Sequence, residues 1–195
     1  MTASVNKPAT YQDVIDAPEN MVAEILNGEL HLTPRPQYSH ASVASFAGAD
    51  VLTRFGRKRG GSPGGWVIVD EPELHLGDPV PNTTVVVPDI GGWRRDRFER
   101  PTGGGHTQAP DWACEVLSPG ARNVRRDRLI KADIYHRAGV PWFWIIDPGA
   151  RSVEVFRWEE EGYLRVGAFA EDVTVVIPPF EEEAIDLSAW WEDLE

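Results

Sequence analysis

Two short apolar runs each carry one acidic residue at a place where chemistry could be done. The first is Val87-Pro88-Asp89-Ile90 and the second Cys114-Glu115-Val116-Leu117. Each reads as a buried strand, in which an unpaired carboxylate would be costly. Two carboxylates on neighbouring strands can grip one divalent cation through oxygen, most naturally Mg²⁺ (or Mn²⁺). That is the metal half of a phosphodiester-cleaving site. A nuclease of the D…ExK pattern adds a lysine two residues after the glutamate, on the same strand face. Here that position is Leu117. The ammonium must come from elsewhere, and Lys131 on the following predicted helix is the candidate. Asp127, Lys131 and Tyr135 lie four apart and line one face of that helix. Taken alone, an Asp–Lys pair at this spacing is more simply a solvated surface pair. Its place directly after the acidic strand brings the start of the helix beside Glu115.

The elements that must hold these residues are legible in outline. Thr10 caps a short helix running to about Ala17. Ala23–Leu26 and Glu29–Leu32 flank Asn27-Gly28, the turn signal of a β-hairpin. Helical spacing of Val43, Phe46, Ala47, Val51 and Phe55 predicts a helix over 39–58, stopped by Gly60-Gly61. Strands are expected at Trp66–Val69, at Thr83–Val87, which delivers Asp89, and at Trp112–Leu117. Residues 91–110 read as one long Gly-, Arg- and Pro-rich loop. A helix over 123–138 ends at Gly139, and Trp142–Ile146 is a buried strand. Val153–Trp158 and Tyr163–Phe169 form a second hairpin, with Val173–Ile177 as its third partner. Strand–helix–strand order in the middle and hairpins at both ends predict an α/β (α+β mixed) fold, a mixed sheet flanked by helices. The expected division is a loosely held 1–9, one domain over 10–187, and a C-terminal tail, 188–195. Trp190 and Trp191 in that tail should pack on the body or on a second subunit.

A chain of 195 residues suits one such domain. The single Cys114 excludes an internal disulfide and a multi-cysteine zinc site, and suits a reducing cytosol. No apolar stretch approaches the roughly 20 residues that cross a bilayer, and no secretory signal is read at the N-terminus. A cytoplasmic protein is expected. Net charge of −12 argues against a general nucleic-acid coat. Basic residues nonetheless cluster at Arg54–Arg59, Arg94–Arg100 and Arg122–Lys131, and acid gathers towards the C-terminus. A basic rim around an acidic metal site is compatible with this, as are ordinary solvated surface charges.

Glu24-Ile25-Leu26-Asn27-Gly28-Glu29-Leu30, Pro88-Asp89, Glu115-Val116-Leu117-Ser118-Pro119, the series Asp127, Lys131, Tyr135 and Gly139-Val140-Pro141, and Trp144-Ile145-Ile146-Asp147-Pro148 follow one another in this order. Together they resemble the Uma-two family of the PD-(D/E)XK nuclease superfamily over about residues 10–187. The resemblance implies a restriction-endonuclease-like core, divalent-metal dependence and DNA as substrate; a homodimer is expected. It also implies the lysine displaced to the helix. Asp89 and Glu115 would then bind the cation, and Lys131 would orient water or stabilise the transition state. Glu24 and Glu71 (or Glu73) could add a ligand directly or through water, with Glu24 favoured by its match to the motif. Asp127 would hold Lys131 in place.

Other residues carry less. His40 has no second histidine at ligand spacing, and His106 in the Gly103–Gly105 loop is expected to face solvent. Ser118 lacks a Gly-x-Ser-x-Gly elbow, and the glycine run lacks the Lys-Ser/Thr of a phosphate loop. The rival to an endonuclease is a catalytically silent domain of the same fold acting as a binding or interaction module. A small-molecule hydrolase using the same metal pair has no positive support.

Overall fold

The computed structural model describes residues 7–57, 64–77 and 84–194. Lys58, Arg59, the stop expected at Gly60-Gly61 and Thr83 lie outside them. Thr10 caps α1 (Tyr11–Ile15) through a reciprocal bond with Asp13. Asn27 and Gly28, with φ of 53° and 81°, make the two-residue turn joining β1 (Met21–Leu26) to β2 (Glu29–Pro34). Both angles are the positive ones that a type I′ turn requires. The helix α2 (Tyr38–Val51) then runs on into a π-helical turn, Leu52–Gly56.

The centre of the molecule is a six-stranded sheet, in the order β10-β9-β8-β7-β6-β3. Its strands are β3 (Trp66–Asp70), β6 (Ile90–Arg94), β7 (Trp112–Val116), β8 (Trp142–Asp147), β9 (Ser152–Glu159) and β10 (Gly162–Ala170). Only β7 and β8 run parallel, joined by a helical crossover: α3 (Ala121–Arg125), a π-helical segment Arg126–Lys131, and α4 (Ala132–Arg137). The fold is thus mixed α/β. Alternation along β7 sends Trp112, Cys114 and Val116 into a core shared with α2, and Ala113 and Leu117 into a second core with Tyr135 on the crossover. A smaller sheet, β2-β1-β5-β4, is completed by β4 (Leu74–His75) and β5 (Val85–Val86).

Three expectations are corrected. Val85–Val86 belongs to the smaller sheet, so Asp89 stands at the start of β6 rather than at the end of its own strand. The expected loop over 91–110 begins as strand β6. Glycine normally argues against a strand, but here bulk is excluded: a Cβ on Gly91 would meet Pro72 at 2.7 Å, and one on Gly92 would meet Trp112 at 2.9 Å. Third, β11 (Thr174–Ile177) does not extend the β9–β10 hairpin. It pairs with β12 (Phe180–Asp186), a strand with no earlier counterpart. Phe180 anchors this hairpin, its ring centroid 4.7–5.5 Å from those of Phe55, Trp66, Trp112 and Trp144.

Trp190 and Trp191, on α5 (Ser188–Trp191), are buried on the body in the α2-side core. Trp190→Ala should therefore cost about 3–5 kcal/mol, the range for emptying a large aromatic site. Urea denaturation measures it, and a change below about 1 kcal/mol would show the helix to be peripheral.

Candidate active site

Antiparallel pairing of Ile90 with Cys114 sets Asp89 across from the end of β7. One carboxylate oxygen of Asp89 accepts the Val116 backbone N–H at 2.6 Å, so the aspartate is pinned beside Glu115. The other lies 2.9 Å from His40 Nε2, and Ser118 Oγ lies 2.9 Å from His40 Nδ1. An ionised carboxylate can only accept, so His40 donates from Nε2 to Asp89. In the neutral ring the Ser118 hydroxyl then donates to Nδ1. His40 on α2 thus clamps Asp89, a partner that its lack of a second histidine had concealed.

Glu115 points to the crossover face, where Lys131 Nζ donates to its Oε2 at 2.9 Å and Tyr135 OH to its Oε1 at 2.5 Å. The same ammonium reaches Glu24 Oε1 at 3.1 Å and the Val87 carbonyl at 2.7 Å. Glu24 in turn accepts the Val87 N–H at 2.9 Å. Glu24, Glu115 and Lys131 are each 2% exposed, and Leu117 fills the second core beside them. The approach of Lys131 to Glu115, expected from the helix's place directly after the acidic strand, is present in the structure. Asp127 behaves otherwise. It is buried, but it pairs with Arg126 at 2.7 Å rather than with Lys131, and Arg126 also donates to Thr33 Oγ1 at 2.6 Å. Both residues lie in the π-helical segment, whose wider turn departs from the four-residue periodicity assumed for the helix.

Glu71 lies at the rim of the same cleft, with its side chain 48% exposed and Arg35 3.7 Å away. Glu73 is turned elsewhere, bonded to Tyr11 and His75 at 2.7 Å each. His106 does not line this cleft either. It is not the exposed loop residue expected, because its ring stacks on Trp93 at 4.5 Å, and burial lowers its pKa.

Four carboxylates (Glu24, Asp89, Glu115, Asp127) therefore share this region with two permanent cations, Arg126 and Lys131. Burial alone would lower the Lys131 pKa, but Glu115, Glu24, Asp127 and Asp89 outweigh it and raise it above the ordinary lysine value. Burial pushes Glu115 well up; Lys131 opposes this, and Asp89, Asp127 and Glu24 add to it. Excess negative charge over a cleft of about 50 Å³, lined by Glu24, Asp89, Glu115, Lys131, Arg126 and Glu71, suits a small hard cation. Among the described residues no group of three or more His, Cys, Asp or Glu is arranged to cage an ion. Two carboxylates with water and substrate oxygens are what Mg²⁺ commonly takes, so the donor set fits that ion.

Among solved structures, the chain is similar to a "putative nuclease belonging to DUF820" from Anabaena variabilis ATCC 29413, at 24% identity and a TM-score of 0.70. The match covers 95% of this chain and 98% of that one, and it supports the fold. No curated protein matches. The model of the Uma2 family, described as "Putative restriction endonuclease", matches residues 8–189, and the chain belongs to that family.

Proposed function

We propose that the protein is a metal-dependent endonuclease that hydrolyses phosphodiester bonds in DNA, with Asp89 and Glu115 as cation ligands and Lys131 as the third catalytic group. The observation that carries this is the convergence of Glu24, Asp89, Glu115 and Lys131, from separate elements, on one electronegative cleft. Membership of a family described as restriction endonucleases supports it. Mg²⁺ or Mn²⁺, when bound, supplies Lewis-acid polarisation of the scissile phosphate and acidifies water. The chain's own residues do the rest. The Val116 N–H and His40 fix both oxygens of Asp89, leaving further lone pairs directed to the cleft. Tyr135 and Lys131 orient Glu115, and Lys131 places a fixed positive charge beside the position of the scissile phosphate. Glu24 holds Lys131 from the opposite side. Asp127 neutralises Arg126, which keeps that guanidinium at the cleft wall.

One observation favours the rival, a silent binding module. An ammonium has three donors, and Lys131 has three acceptors within the protein: Val87, Glu24 and Glu115. The two readings separate on plasmid DNA incubated with Mg²⁺ or Mn²⁺ and with chelator. Cleavage that needs the cation and disappears in Asp89→Asn supports the enzyme. Calorimetric titration of Mn²⁺ should show the same substitution weakening binding at least about tenfold, the usual cost of disturbing a metal ligand set. Absence of cleavage with either ion would leave the binding module as the better reading.

A further inference from the structure

The cleavage cleft has a larger neighbour. A cavity of about 420 Å³ opens on the far side of Ser118, which lines both spaces. Its volume falls in the roughly 300–1,000 Å³ range of small-molecule sites. Leu117 and Val124 contribute apolar wall, Tyr38 lines it with 70% of its surface exposed, and Asp147 and Asp193 supply two carboxylates against the one guanidinium of Arg151. The balance of these groups is acidic, which disfavours phosphate. The two acids accept hydrogen bonds from an exocyclic amine, as carboxylates do from cytosine N4. An apolar wall, an exposed aromatic ring and acceptor oxygens together describe a receptor for a nucleobase.

We propose that the substrate is an unpaired DNA strand, and that the base adjoining the scissile phosphate leaves the stack to lie against Tyr38 in this pocket, its amine facing Asp147 and Asp193. The inference rests on the nuclease reading and names its substrate class. Two other observations point the same way. Glu24, Glu115 and Lys131 are almost wholly buried, so the scissile phosphate must enter a recess. A stiff duplex does that only by being deformed, whereas an unpaired strand has no such cost. Cations near the cleft are also partly committed already: Arg126 to Asp127, and Arg35 beside Glu71. Arg122 and Arg125, exposed on α3, and Arg151 on the pocket wall remain to follow a backbone. With so few cations and a net charge of −12, affinity must come in good part from stacking, the mode of single-strand binders.

The test separates binding from cleavage. Full-length Glu115→Gln, which should not turn over, is titrated with short single strands carrying 2-aminopurine and with the matching duplex. Expected are tighter binding of the single strand, quenching of the 2-aminopurine, and weaker binding of oligo(dT) than of oligo(dC). Tyr38→Ala in that background should weaken single-strand binding about tenfold and abolish quenching, while Tyr38→Phe keeps both. Tyr38 is exposed, so neither substitution endangers the fold. Equal or tighter binding of the duplex, or unchanged binding by Tyr38→Ala, would overturn the pocket. Strand binding of the expected kind without cleavage by the parent protein, under any divalent ion offered, would overturn the nuclease and leave the pocket standing.

Discussion

Lys131→Ala should lower cleavage by roughly 10²–10³-fold, the usual loss for one electrostatic donor, and should also destabilise the protein by about 3–5 kcal/mol. The second effect was not foreseeable from spacing. A lysine reaching into a cleft could be lost with little harm to the fold. Lys131 instead lies between Glu24 and Glu115, and all three are 2% exposed. Its removal leaves two buried carboxylates and the Val87 carbonyl without their shared donor. Breaking one side of a buried ion network is costly because the remaining charge keeps its desolvation penalty. Lys131→Met, which keeps much of the stem, separates the lost charge from the lost packing and should be nearly as harmful. Urea denaturation followed by circular dichroism reads the stability, and plasmid nicking at a temperature where both proteins are folded reads the turnover. A Lys131→Met protein as stable as the parent would show that the network does not depend on its cation.

What the sequence could and could not reveal follows from which forces leave a local mark. The hairpin at Asn27-Gly28 was legible because positive φ is a property of the residues themselves. Asp89 and Glu115 stood out because a charge inside an apolar run has few benign explanations, and Lys131 because its helix directly follows the acidic strand. Leu117 likewise announced that the lysine of the usual pattern was missing. Strand β6 was hidden, since Gly91 and Gly92 are strand residues only because the flanking Pro72 and Trp112 come so close. The partnering of β11 with β12 depends on Phe180 meeting four aromatic rings distant in sequence. The role of His40 depends on Asp89 and Ser118, 49 and 78 residues away. Asp127 was misassigned for a subtler reason. Its spacing from Lys131 is that of a regular α-helix, but a π-helical segment there pairs it with its neighbour Arg126. Local propensity carries none of these long-range or irregular terms.

Glu115→Gln tests the same cluster from its acidic side, and its two effects should have opposite signs. Cleavage should fall by roughly 10³-fold or more, since a cation ligand is lost and several kcal/mol of charge stabilisation go with it. Stability without divalent cation should hold or rise at neutral pH. Glutamine still offers an oxygen to Lys131, and the ammonium keeps Glu24 and the Val87 carbonyl as partners. The pH dependence fixes the sign. Burial raises the Glu115 pKa well above its ordinary 4.5, with Lys131 opposing the rise and Asp89, Asp127 and Glu24 reinforcing it. Above pH 4.5 the folded protein therefore holds a proton that the unfolded chain has released. Stability supplied by that proton is complete below the unfolded pKa and declines as pH climbs towards the folded one. Asp127, raised chiefly by burial although Lys131 and Arg126 oppose it, adds a decline of the same sign from its ordinary 3.8. In chelator, the parent should thus become easier to unfold as pH rises from about 5, and Glu115→Gln should show a shallower slope. Parallel slopes in the two proteins would mean that Glu115 is already ionised at pH 5, its charge fully met by Lys131 and Tyr135, so that neither burial nor the neighbouring carboxylates hold a proton on it.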